Sequence, residues 1–117
     1  SACIGDLNND KNPDVVVANV GSNDISIFFG FGNGSFADQI TYQTGSAPTS
    51  VTVADLNNDT YLDIIVVNQA SNTLTVMRGS QKATFDDQTT YETGSVPIAS
   101  AIGDFNHDEK LDVALAM

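Results

Sequence analysis

Three spellings of one nine-residue stretch constrain this chain more than any other feature. They are DLNNDKNPD (Asp6 to Asp14), DLNNDTYLD (Asp55 to Asp63) and DFNHDEKLD (Asp104 to Asp112), set 49 residues apart. A fixed period of that length is the mark of a repeat architecture, with one supersecondary unit per period. Residues 1–49 align with 50–98, and 99–117 open a third copy, giving about two and a half units of 49 residues.

Inside a unit the apolar residues alternate or form short continuous runs, and never follow a helical period. The second unit reads as four strands: Ser50–Ala54, Leu62–Asn68, Thr73–Gly79 and a fourth near Gln88–Gly94. Val, Ile, Thr and Tyr dominate these runs, as pleated surfaces prefer. Pro48 and Pro97 stand just ahead of the first strands, where a missing N–H is tolerated. The turn Ser22–Asn23 recurs as Ser71–Asn72. The loop GFGNGSF (Gly30–Phe36) becomes GSQKATF (Gly79–Phe85), losing glycines but keeping its phenylalanine. Phe36 and Phe85 are expected to plug the core beneath that loop, and Cys3 to be a small buried hydrophobe in a strand.

Four antiparallel strands per 40–50 residues is the unit of a β-propeller blade. The predicted fold is therefore all-β, built of tandem four-stranded antiparallel blades at 1–49 and 50–98, with the first half of a third at 99–117. A closed ring typically needs four to eight blades. The chain is thus expected to be an excerpt of a larger propeller or array, or a protomer completed by other chains. Val113 to Met117 should form an apolar edge in want of a partner.

Composition narrows the function. The 15 acidic residues against 4 basic ones give a formal net charge of −11, and the aspartates at positions 1, 5 and 9 of the three stretches supply nine of those acids. Such a surface repels nucleic acid and anionic lipid and attracts cations. No apolar run approaches the roughly 20 residues of a membrane helix, so membrane insertion is not expected. One cysteine excludes an internal disulfide. The only histidine, His107, lies within the third stretch, and no serine has His and Asp companions, so catalysis is not expected.

Each stretch lies between strands one and two of its unit and is therefore a hairpin loop. In the second copy Asp55, Asn57 and Asp59 hold positions 1, 3 and 5, which converge when such a loop curls around a point. Position 7, Tyr61, can offer a backbone carbonyl, which frees its side chain to vary. Position 9, Asp63, can close the shell, with both oxygens if needed. Hard oxygen donors with about three carboxylates describe a Ca2+ site, whereas zinc wants Cys or His and Mg2+ keeps more water. An EF-hand is excluded by the absence of Gly at position 6 (Lys11, Thr60, Glu109), of Glu at position 12 (Val17, Val66, Leu115) and of flanking helices.

DLNNDTYLD followed by IIVVN, then SNTLTV, with GNGSF in the first copy, resembles the FG-GAP or VCBS-type repeat. That repeat builds the propellers of integrin alpha subunits and of many secreted proteins. The resemblance implies calcium-binding blades, with one ion in each of about three loops. The implied ligands are Asp6, Asn8, Asp10, the carbonyl of Asn12 and Asp14 in the first loop. They are Asp55, Asn57, Asp59, the carbonyl of Tyr61 and Asp63 in the second, and Asp104, Asn106, Asp108, the carbonyl of Lys110 and Asp112 in the third.

The expected function is a calcium-stabilised, extracellular binding or adhesion scaffold whose partners are other protein chains or further blades of the same chain. The alternative is a structural subunit of an extracellular fibre or surface layer, assembling through open β-edges. In the first case the SN and TGSAP-type turns, opposite the calcium hairpins, are the expected contact loops. Three bound ions would move the formal charge from −11 to −5. Asn33 and Asn58 head glycosylation sequons, and Asn33, in an exposed loop, is the better candidate for a glycan.

Overall fold

A computed structural model describes the whole chain, Ser1–Met117. It contains ten strands and no helix: β1 Ala2–Gly5, β2 Asp14–Asn19, β3 Asp24–Phe28, β4 Ile40–Gln43, β5 Pro48–Ala54, β6 Asp63–Asn68, β7 Thr73–Met77, β8 Gln88–Glu92, β9 Ala99–Gly103 and β10 Asp112–Ala116. Every neighbouring pair is antiparallel and consecutive in sequence. The order is β1-β2-β3-β4 in the first sheet, β5-β6-β7-β8 in the second and β9-β10 in the third. The three sheets stack in a row and close no ring.

The 49-residue period carries through to register. Gly5 faces Asp14 in the first sheet, Ala54 faces Asp63 in the second and Gly103 faces Asp112 in the third. Each nine-residue loop therefore joins the first two strands of its sheet, with its last aspartate opening the second strand. Pro48 is the first residue of β5 and pairs with Asn68, rather than standing just outside the strand; a bulge follows between Pro48 and Ser50. A proline is accommodated there because the first strand position need not donate.

The hydrophobic pattern explains the stacking. Ile64 and Val66 on one face of β6 join Val16, Ala18, Ile25 and Ile27 of the first sheet in one buried cluster. Ile65 and Val67 on the other face join Leu74 and Val76, with Ile102, Val113 and Leu115 of the third sheet packed against them. Successive side chains of a strand point to opposite faces, so a central strand buried on both must be apolar throughout. All six residues of β6 are buried, as that continuous run requires.

Phe85 is completely buried and meets Tyr42 of the first sheet edge-on, with ring centroids 5.9 Å apart. Phe36, one repeat earlier, is 45% exposed, contrary to the expectation that both would plug the core. The reason is that Phe85 packs across to Tyr42 of the preceding sheet, whereas residues 1–117 supply no such neighbour to Phe36. Cys3 is half-buried against the core, and burial pushes its thiol up to about 11, so it stays protonated.

Candidate metal centre

The three loops are folded by their own acids in one repeated scheme. The carboxylate at position 1 accepts the N–H groups of positions 5 and 6. Asp6 takes Asp10 at 3.1 Å and Lys11 at 2.8 Å, Asp55 takes Asp59 at 3.1 Å and Thr60 at 2.8 Å, and Asp104 takes Asp108 at 3.0 Å and Glu109 at 2.8 Å. The carboxylate at position 5 accepts the N–H of position 7: Asn12 on Asp10 at 2.8 Å, Tyr61 on Asp59 at 2.9 Å and Lys110 on Asp108 at 3.0 Å. The amide oxygens of Asn8 and Asn106 also accept the N–H of position 5, each at 3.3 Å.

These bonds curl the backbone tightly enough to force residues into the left-handed region. Positions 4 and 6 have positive φ in every copy: Asn9 and Lys11 at 58° and 68°, Asn58 and Thr60 at 63° and 73°, His107 and Glu109 at 62° and 68°. Asn tolerates that region, but a β-branched residue such as Thr60 is strained there. Position 6 thus adopts a left-handed conformation without the glycine whose absence weighed against an EF-hand. His107 is exposed.

Position 9 does something the spacing alone did not reveal. Asp14 has no exposed surface, and its two oxygens accept the N–H of Leu7 at 2.8 Å and of Gly30 at 2.9 Å. Asp63, 1% exposed, accepts Leu56 at 2.9 Å and Gly79 at 2.8 Å in the same way. Each of these aspartates therefore staples its loop to the end of the third strand of its sheet. Gly30 and Gly79 are required at those ends: a Cβ would lie 2.2 Å from the Pro13 carbonyl oxygen and 2.1 Å from that of Leu62. Each carboxylate oxygen keeps one lone pair beyond these bonds. Asp112 accepts the N–H of Phe105 at 3.0 Å.

Electrostatics follow from this packing. Burial raises the pKa of Asp14 above the ordinary carboxylate value; the N–H groups of Gly30 and Leu7 pull the other way, and the charges of Asp10 and Asp6 add to the rise. Asp55 also feels desolvation, but the N–H groups of Thr60, Asp59 and Asn58 outweigh it and hold that carboxyl below the ordinary value. In the third loop one oxygen from each of Asp104, Asp108 and Asp112 lies within 4.8 Å of the other two. Like charges that close repel, and a cation at their centre would relieve the repulsion.

The turns expected to contact partners are tied to each other. The side-chain oxygen of Asn23 accepts the N–H of Ala47 at 2.8 Å, and that of Asn72 accepts Val96 at 2.8 Å. Asn23 and Asn72 have φ of 57° and 53°, and Ala47 and Val96 have φ of 53° and 57°. Each asparagine latches the second turn of its sheet to the linker leaving the fourth strand. That linker then pairs with the next unit, where the N–H groups of Gln69 and Ala70 reach the carbonyls of Ala47 and Ser46. The recurrence of Gly30 as Gly79 and of Asn23 as Asn72 was the available signal for both devices.

No curated protein and no solved structure matches the chain. The FG-GAP-like repeat matches it over residues 6–66 and again over 57–115. Each match begins within one aspartate-rich loop and runs through the next loop into the strand beyond it. The chain belongs to the FG-GAP-like repeat family.

Proposed function

We propose that this chain is a calcium-stabilised extracellular scaffold, each of whose three hairpin loops takes one Ca2+ ion. The family is one of non-enzymatic repeats, typically extracellular, and no helix of the structure is long and apolar enough to cross a membrane. The observation that carries the calcium reading is the threefold recurrence of one loop geometry, with three carboxylate oxygens within 4.8 Å in the third copy. The side chains of positions 1, 3, 5 and 9 and the carbonyl of position 7 would hold the ion. These are Asp6, Asn8, Asp10, Asn12 and Asp14; Asp55, Asn57, Asp59, Tyr61 and Asp63; and Asp104, Asn106, Asp108, Lys110 and Asp112. Five protein oxygens leave room for water in the six to eight positions calcium prefers.

The role of the ion in this reading is mechanical. It neutralises clustered carboxylates and fixes the hairpins, so that the stacked sheets present rigid faces to protein partners or to further blades. Asn33, exposed in its loop, is the position at which a glycan would stand clear of the sheets. Millimolar calcium, as found outside cells, suffices for loops of modest affinity. Thermal melting in millimolar calcium and in excess chelator tests the proposal. At tenfold excess over the dissociation constant each site adds about 1.4 kcal/mol, so three add about 4 kcal/mol. Identical melting curves would refute it.

A second reading, a structural subunit of a fibre or surface layer, is favoured by a different observation. The outer sides of β4 and β8 have no strand paired to them, and such edges are templates for another chain. Light scattering in calcium separates the two, since a fibre subunit forms open-ended assemblies and a scaffold gives a discrete mass.

A further inference from the structure

We propose that Asn33 is a site of spontaneous deamidation, at which water displaces ammonia and the tip of the loop between β3 and β4 gains a carboxylate. The proposal goes beyond the calcium reading and depends on neither a metal nor a glycan.

Asn33 is the one asparagine of the chain followed by glycine. A side chain at the following position would crowd the approach of its backbone nitrogen to the asparagine side chain. Gly34 has none, and the space where a Cβ would stand is open, with nothing within 4 Å. The Gly34 N–H donates to no backbone carbonyl, so no such bond must break before that nitrogen loses its proton.

Ser35 supplies the rest. Its N–H and its hydroxyl both donate to Asn33 Oδ1, at 3.0 Å and 2.6 Å. The ring of atoms closed by the Ser35 N–H runs through the Gly34 nitrogen, which keeps that nitrogen near Asn33 Cγ. Two donors aimed at Oδ1 also draw electron density from Cγ and stabilise the negative charge that develops on the oxygen under attack. The tip is held in shape from below, where the Phe31 N–H donates to the Ser35 carbonyl at 3.1 Å and Gly30 pairs with Phe36. Asn33, Gly34 and Ser35 are exposed to water. Lys82 and Thr84, the counterparts of Asn33 and Ser35 in the second unit, are exposed as well, so this tip stays open where another sheet packs alongside.

The chemistry balances with water alone. The Gly34 nitrogen gives its proton to the solvent and bonds to Asn33 Cγ. The bond from Cγ to Nδ2 breaks, ammonia leaves, and a cyclic succinimide remains. Water then adds to either ring carbonyl. Opening between Cγ and the nitrogen gives aspartate. Opening between the Asn33 backbone carbonyl carbon and the nitrogen gives isoaspartate, whose main chain runs through the former side chain and is one methylene longer. One neutral amide becomes one carboxylate, taking the formal charge from −11 to −12. Either product ends the Asn33–Gly34–Ser35 sequon, so position 33 carries a glycan or the new charge and never both.

The test incubates the full chain, produced without glycosylation, at mildly alkaline pH and body temperature, beside a free peptide with the sequence Phe28–Asp38. Peptide mapping by mass spectrometry reads the exchange of NH2 for OH and separates isoaspartate from aspartate. Asn33 is expected to convert before any other asparagine, at least as fast as in the peptide, faster as pH rises, and to both products. Gly34→Ala should slow it roughly tenfold, a barrier higher by about 1.4 kcal/mol; the second unit already carries an alanine there, Ala83, at a positive φ of 54°. Ser35→Ala, which removes the hydroxyl and keeps the N–H, should slow the folded chain severalfold and leave the peptide unchanged. Asn33 intact in the folded chain after the peptide has converted, aspartate without isoaspartate, or an unaltered rate in Ser35→Ala would overturn the proposal.

Discussion

Replacing Gly79 with alanine should cost far more than a single methyl group suggests. The added Cβ would lie 2.1 Å from the carbonyl oxygen of Leu62, against the backbone rather than a movable side chain. The end of β7 must then move away from the start of β6. That movement stretches the bond from the Gly79 N–H to the buried carboxylate of Asp63, now 2.8 Å long. Overpacking of this kind costs about 1–3 kcal/mol, and a weakened hydrogen bond to a charged group about 1.5–3 kcal/mol. The alanine recovers about 0.4–1 kcal/mol by restricting the unfolded chain. A net loss of about 3 kcal/mol follows, which at about 4 °C per kcal/mol lowers the melting temperature by about 12 °C. Gly21→Ala is the matched control, since its Cβ would meet nothing within 4 Å, and it should stay within about 0.5 kcal/mol of the parent. Urea denaturation followed by circular dichroism measures both. If Gly79→Ala were as stable as Gly21→Ala, the proposed staple between loop and third strand would be wrong.

Three further outcomes follow from the same geometry. In excess chelator Asp63→Asn should lose about 2 kcal/mol, because its amide cannot accept from both Leu56 and Gly79. Asp59→Asn should change little there but should weaken the stabilisation by calcium, as paired melts with and without the ion would record. Phe85→Ala should cost about 3–5 kcal/mol as a buried aromatic truncation, whereas Phe36→Ala, starting from 45% exposure, should cost about 1 kcal/mol or less in the same assay. The pH dependence should change sign with the metal. Asp14 has a raised folded pKa, so the folded state binds its proton more readily, and its contribution falls as pH rises from the ordinary carboxylate value through the raised one. Metal-free protein should therefore become more stable as pH falls through the raised pKa of Asp14 toward the ordinary carboxylate value, whereas calcium-loaded protein should become less stable as protons displace the ion. Below about pH 4 the lowered pKa of Asp55 reverses the metal-free trend, because its ionised form is the one the fold favours.

Much of the fold was legible because the chain states it more than once. The run LDIIVVN read as a strand, and it is β6, which the structure buries on both faces. The expected end of the third strand at Gly79 and of the fourth at Gly94 overshot by two residues each, since β7 stops at Met77 and β8 at Glu92. What the sequence hid depends on neighbours. Phe36 and Phe85 occupy the same repeat position, yet within residues 1–117 only Phe85 meets a preceding sheet. The aspartates at position 9 read as a fourth ligand, and nothing in their spacing revealed the glycine N–H waiting 16 residues downstream. Asn23 and Asn72 looked like exposed turn residues because their partners, Ala47 and Val96, lie 24 residues away and take up positive φ that their side chains do not advertise. The loops are the opposite case. The bonds accepted by the carboxylates at positions 1 and 5 span only two to five residues, so they fall within the stretch that the spacing itself describes.

The most direct test of the central claim is a count of bound calcium by equilibrium dialysis at millimolar free ion, repeated on chains carrying Asp→Asn at positions 1 and 5 of one loop at a time. Three ions per chain are expected, falling to two with Asp55→Asn plus Asp59→Asn, and likewise for the other loops. No bound calcium, or a count unchanged by these substitutions, would contradict the assignment of the three loops as metal sites.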